Sequence, residues 1–285
     1  MTAAATRPTA APAPHALAPL ALAAVGVSIA AQIAYPLAGP GVRDTVTVVV
    51  LASAVVAMAA DALVALGVRR GLVVVVGVPV LAFAAEWSGT HTGFPFGTYS
   101  YAADRLHPQI AGVPIWISAA WLIGVWAVWR VAGIVVGDRA LPRVALATVG
   151  LVGWDLYLDP QMVADDLWAW RSTDAGLPGM EQIPLTNFAG WALVGVVAMT
   201  LIEICRRGGV PMDTDPNRRV PVAALVWVVW TWIGSAFAQA FLLHDGDLRS
   251  GLGYGIVVMG VLAVPALVVA ARPRRRVVRA GTMSA

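Results

Sequence analysis

The chain predicts an all-α fold: a polytopic membrane helical bundle of about eight transmembrane helices, with two long outer loops. Three observations carry that prediction. The 285 residues are 59% hydrophobic and only 12% charged, where a soluble domain carries about 25% charge. Apolar runs of the roughly 17–25 residues needed to cross a bilayer recur along the whole length. Turn-forming and arginine-bearing punctuation separates them, and no stretch is left over for a soluble domain.

In chain order, residues 1–15 are rich in Ala, Pro and Thr and are expected to be disordered. The first span covers 16–37. Its length, after a weakly basic start, argues for a retained helix rather than a cleaved signal peptide. It carries Ser28, Gln32 and Tyr35 at i, i+4 and i+7, a polar stripe on one face. The second span is 45–66 and the third 71–87, ending on Glu86 and Trp87. A connection over 88–111 follows. The fourth span, 112–135, has Ser118 early, and the fifth, 144–158, ends on Asp155 and Asp159. After a second long connection, 160–183, the sixth span (184–204) opens with Asn187. The seventh (220–243) carries Thr231, Ser235 and Gln239 as another polar stripe, and the eighth is 252–271. An Arg-rich tail, 272–285, is expected in the cytoplasm against anionic lipid rather than nucleic acid. The bundle proper is therefore 16–271.

All 19 basic residues are arginine, which excludes lysine Schiff-base chemistry. Cys205 is the single cysteine, which excludes an intrachain disulfide and a CxxC metal site. With a cytoplasmic amino terminus, fourteen arginines fall on the inner side and four, Arg43, Arg105, Arg171 and Arg249, on the outer side. That asymmetry predicts a multi-pass protein of the inner (plasma) membrane with both termini cytoplasmic. Most carboxylates then fall at the outer face. The two long outer loops are rich in Gly, Pro and aromatic residues, unlike disordered segments, and loops of that length are usually functional. A lid on the outer membrane surface, or a partly re-entrant segment, is expected.

Ionisable groups at the ends of apolar spans are costly and call for a functional reading. Asp155 and Asp159, four residues apart, share one helix face. A neutral carboxylic acid in a dry setting can protonate a weak base. The alternative is that these acids cap helix ends and pair with Arg105 or Arg171. Polar stripes in lipid can likewise be helix glue, but their shared depth points to a polar cavity near the outer leaflet. Of the 12 Trp, most fit an interfacial belt; Trp87, Trp154, Trp168 and Trp170 adjoin the acids, where ring faces can stabilise a cation. His91, His107 and His244 match no compact metal motif, so no metal is expected.

Several unusual motifs occur in order over about 80–205. They are Glu86-Trp87, the Thr92-Gly-Phe-Pro-Phe-Gly-Thr-Tyr-Ser-Tyr101 run, Gly112-Val-Pro-Ile115 and Gly153-Trp-Asp-Leu-Tyr-Leu-Asp-Pro160. Trp168-Ala-Trp170 and Ile183-Pro-Leu-Thr-Asn-Phe-Ala-Gly-Trp191 complete the set. The chain in this respect resembles the integral-membrane carotenoid hydratases, which act on gamma-carotene or bisanhydrobacterioruberin. The resemblance implies water addition across the terminal C1=C2 bond of an acyclic carotenoid end group, giving a tertiary 1-hydroxy product, with no cofactor. The expected partners are a membrane-embedded carotenoid, water, the bilayer and other enzymes of the pathway. At the matching positions, Asp155 or Glu86 is read as the proton donor and Asp159 as its partner carboxylate. Trp87 and Trp154 would flank the cation, and Asn187, Tyr99 or Gln239 would hold a water. Phe94, Phe96, Tyr101, Trp168, Trp170 and Trp191 complete the expected substrate site. Rival readings are a proton-coupled transporter or lipid-binding protein, a histidine metallohydrolase, and a carotenoid isomerase or cyclase using the same acids.

Overall fold

A computed structural model describes residues 14–171, 175–207, 220–243 and 248–272. The predicted disordered segment 1–15 and the Arg-rich tail 272–285 lie almost wholly outside the described residues, as does His244. Among the described residues, eight helices are long and apolar enough to cross a membrane. They are α1 (Pro14–Ala34), α2 (Pro40–Leu66), α3 (Val68–Thr92), α4 (Ile115–Val136), α5 (Ala140–Ala164), α6 (Leu185–Arg207), α7 (Val222–Phe241) and α8 (Leu248–Ala270). The protein is an all-α polytopic bundle, multi-pass in the membrane.

Helix α4 is the hub. It packs against α2, α3, α5, α6, α7 and α8, and every residue from Ala120 to Trp129 is buried. Its own sequence is accordingly apolar nearly all round, as for a helix at the centre of a bundle. Helix α5 lies close against α8 because a small residue sits at the crossing: a Cβ added at Gly153 would stand 2.6 Å from the Met259 Cα, nearer than atoms can approach. Close approach over small residues is the usual way helices pack where lipid supplies no hydrophobic drive.

Two helices run further than the apolar pattern predicts, and the difference relocates the acids. Helix α3 continues past Trp87 to Thr92 through Ser88-Gly-Thr-His-Thr, whose hydroxyls bond back onto the helix: Thr92 donates to the Ser88 carbonyl at 2.8 Å and Thr90 to the Trp87 carbonyl at 3.0 Å. Short polar side chains that bond i−3 or i−4 carbonyls let a helix persist where hydropathy has ended. Helix α5 likewise passes Asp159 and Pro160 to Ala164. Glu86, Asp155 and Asp159 thus lie inside helices rather than at their caps.

The two long loops are built of short strands. Strand β1 (Tyr99–Tyr101) of the first loop pairs antiparallel with β4 (Trp168–Trp170) of the second, in the register Tyr99↔Trp170 and Tyr101↔Trp168. Two local hairpins, β2 (Gln109–Ile110) with β3 (Val113–Pro114) and β5 (Gly176–Leu177) with β6 (Met180–Pro184), complete them. The loops are further tied by Arg171 N–H to the Thr98 carbonyl at 2.8 Å and by the Trp170 indole N–H to the Phe96 carbonyl at 3.0 Å. Arg105 clasps Asp44 of α2 and Asp165 at the end of α5, and Arg43 joins Asp165 at 2.7 Å. Of the two arginines suggested as partners for the candidate acids, Arg105 is therefore engaged elsewhere.

Candidate active site

Beneath the β1–β4 pair, α3, α5 and α6 bring three carboxyls and one amide together. Glu86, Asp155, Asp159 and Asn187 are each at most 4% exposed. Among the described residues none of the three acids joins an ion pair; their partners are neutral donors. The Glu86 carboxyl accepts from the Tyr99 hydroxyl, from the Tyr101 hydroxyl at 2.7 Å and from the Trp121 indole N–H at 2.7 Å. Three donors converging on two oxygens suit an acceptor-only, ionised carboxylate. Burial, then the neighbouring Glu86 charge, pushes both phenols above the ordinary tyrosine range, so they remain donors. The approach of Tyr99 depends on Gly89: a Cβ there would lie 2.8 Å from the Tyr99 ring.

Asp155 and Asp159 form a second, different group. The Asn187 side-chain amide donates one hydrogen to Asp155, at 3.0 Å, and the other to Asp159. The two carboxyls stand one helical turn apart on α5, and Asp155 Oδ1 is buried without a hydrogen-bond partner. Two adjacent acids sharing one amide and no cation hold a proton between them more readily than two charges.

A cavity of about 30 Å³ separates the two groups. Glu86 and Asp159 both line it, with Tyr99, Tyr101, Trp121, Asn187 and the rings of Phe96, Trp168, Trp170 and Trp191. That is room for about one or two waters. Trp121 and Trp191 stack there, with centroids 4.1 Å apart, and Trp154 meets Trp191 edge-on at 5.9 Å. Next to this cavity lies an apolar cleft of about 160 Å³ between α1, α2, α4, α5 and α7, whose walls include Trp154, Trp227 and Trp230. The two spaces share Ile117, Ala120, Leu158 and Trp168 as lining residues.

The structure thus gathers most of the residues singled out in the sequence. Three stand apart. Trp87, one residue from the inward-facing Glu86, is rotated off the site, 46% exposed and packed on His91. Phe94 is 65% exposed. Gln239 is buried on α7, donating to the Tyr157 carbonyl at 2.9 Å, and lines neither space. Trp154 borders the cleft rather than the carboxyl cavity. Trp121 is the contributor that the sequence does not reveal, since there it reads as one more apolar residue in α4 with no sign of a polar partner.

A family model for carotenoid biosynthesis proteins matches residues 45–246, a range that contains both carboxyl groups and both paired loops. The chain belongs to that carotenoid biosynthesis family. Bisanhydrobacterioruberin hydratase of Haloarcula japonica is 32% identical over 141 residues, covering 47% of this chain and 45% of that relative. The chain thus spans about half the length of the curated relative it matches. No solved structure matches it. For a carotenoid biosynthesis protein a lipid-embedded polyene substrate is consistent with the eight spans, because both substrate and enzyme share the bilayer as solvent.

Proposed function

We propose that this protein is a carotenoid 1,2-hydratase, adding water across the terminal C1=C2 bond of an acyclic carotenoid end group. The observation that carries the reading is one small cavity walled by two unlike acids, Glu86 with three donors and Asp159 sharing the Asn187 amide with Asp155, opening beside an apolar cleft. The name of the haloarchaeal relative supports the same reaction type.

The polyene lies in the cleft with its tip past Leu158 and Trp168. Asp159 gives its proton to C2, and the C1=C2 pair becomes the new C–H bond. Positive charge develops at C1, which carries two methyl groups, beside the faces of Trp191 and Trp168. Water in the cavity bonds through oxygen to C1 and passes a proton to the Glu86 carboxylate. The product is a tertiary alcohol; a proton returns from Glu86 to the aspartate pair to close the cycle. Asp155, wholly buried and outside the cavity wall, acts as the reserve that keeps a proton on Asp159. The loop end faces the outer leaflet, following the arginine asymmetry. A polyene roughly as long as the hydrocarbon is thick, about 30 Å, would place its tip there.

The test is expression in a host that accumulates an acyclic carotene, with water labelled in oxygen. The expected pigment gains one water containing the labelled oxygen. Rearrangement or cyclisation without gain of oxygen would replace this reading by the isomerase or cyclase one.

A further inference from the structure

The apolar cleft has a polar feature that hydration does not use. Tyr157 of α5 and Thr231 of α7 line it from two helices, each at most 3% exposed. The hydroxyl oxygens of both are buried without a hydrogen-bond partner. Threonine in a helix ordinarily bonds a carbonyl one turn back, and a buried phenol ordinarily finds a partner. Two such hydroxyls in the wall of one cleft are unusual, since buried polar groups are almost always satisfied. Helix α7 continues the polar face with Ser235 one turn on, also in the lining, whereas the floor beside them is Trp154 and Trp227. A pure hydrocarbon chain in this cleft would leave both hydroxyls unsatisfied.

We propose that Tyr157 and Thr231 form a subsite for a hydroxyl group on the isoprenoid chain, so that the cleft selects an oxygenated chain end over the bare hydrocarbon. This rests on the reading that the cleft takes a polyene, and not on water being added there. The hydroxyl belongs to the substrate, already oxygenated near its end, because the proposed mechanism forms the new alcohol in the carboxyl cavity and not in the cleft. In the subsite it exchanges a bond to lipid-phase water for one to protein. A pocket built to hydrogen-bond a hydroxyl discriminates strongly against the analogue lacking it, because its own polar groups are then left bare.

The experiment uses the full chain in phospholipid nanodiscs and two matched probes, an acyclic polyene with saturated ends and the same polyene with one tertiary hydroxyl at one end. Saturated ends cannot be hydrated, so binding is read free of turnover, through quenching of tryptophan fluorescence by the polyene; Trp154, Trp227 and Trp230 line the cleft. The hydroxylated probe is expected to bind at least about tenfold more tightly, and Tyr157→Phe with Thr231→Val to erase the difference while leaving the hydrocarbon's affinity as it was or better. Equal binding of the two probes by the unaltered protein, or a preference that survives both substitutions, overturns the subsite and leaves the hydroxyls as water partners. If the double variant does not insert, Thr231→Val alone must reduce the preference. In turnover of an oxygenated substrate, a raised KM with kcat retained in the variant supports the subsite, and an unchanged KM overturns it. A preference retained by a protein that adds no water would sink the hydration reading and leave this subsite standing.

Discussion

Helix α4 offers three indole N–H groups to three acids, and the partnerships at its two ends differ in kind. At the end opposite the strands, Trp126 donates to Asp61 at 2.9 Å and Trp129 to Glu203 at 3.0 Å. Both acids also hold arginines: Arg130 reaches Asp61 at 2.8 Å, and Arg143 and Arg206 reach Glu203 at 3.5 and 2.8 Å. Arg130 and Arg143 lie over the Trp126 and Trp129 rings as well. At the loop end, Trp121 donates to Glu86, but the remaining donors are tyrosines and no arginine joins. An acid with a guanidinium beside it is neutralised and gains little by reacting. One held only by neutral donors keeps its charge, or its proton, available for exchange. In the proposed mechanism the same tryptophan–acid pairing serves as structure at one end and as chemistry at the other, and the cation decides which.

The largest expected effect separates the two ends by activity. Asp159→Asn and Glu86→Gln should each lower turnover by about 10²- to 10⁴-fold with protein still in the membrane, whereas Asp61→Asn should leave turnover per folded molecule nearly unchanged. Pigment conversion normalised to protein checks this; equal losses at both ends would erase the distinction.

Stability should move the opposite way. Glu203→Gln removes the buried carboxylate shared by Arg143 and Arg206 and is expected to cost on the order of 3 kcal/mol, seen as a lower thermal midpoint in detergent. Asp155→Asn removes one of two adjacent buried acids that no cation neutralises and should raise that midpoint. A third contrast is subtler. Trp121→Phe keeps a ring against Trp191 but removes the hydrogen bond to Glu86, worth about 1 kcal/mol, so turnover should fall roughly fivefold. Trp126→Phe should not affect turnover.

The smallest effect is alkaline. Tyr99 and Tyr101 are held above the ordinary phenol range by burial first and by Glu86 second. Below about pH 10 the unfolded chain keeps its tyrosines protonated too, so stability is unaffected. Above that the unfolded phenols ionise while these two stay neutral, and stability falls as pH rises. Unfolding midpoints from pH 8 to 11 should show the fall in the unaltered protein and less of it in Tyr101→Phe.

The bundle was legible in the sequence because hydropathy reports length and lipid exposure directly, and Asp155, Asp159 and Glu86 stood out as charges in apolar runs. Helix ends were less legible. Ser88 to Thr92 is too polar for a hydropathy window, yet its hydroxyls cap themselves onto carbonyls, so α3 outruns the pattern. Burial of Trp121 and exposure of Trp87 were not legible either: both are tryptophans in apolar surroundings, and only the rotation of α3 and the central place of α4 distinguish them. Strand pairing between the loops depends on contacts some seventy residues apart, for which Tyr99-Ser-Tyr101 and Trp168-Ala-Trp170 give only alternation.

That pairing has a consequence for biogenesis. Glu86 leaves the ribosome long before Trp168 and Trp170 exist, and its tyrosine donors take their places only when β4 arrives to hold β1. During synthesis the acid of the third helix is therefore expected to lack its full set of donors until the fifth helix has crossed. A chain truncated ahead of β4 should be cleared by membrane quality control, whereas one cut after α6 should persist.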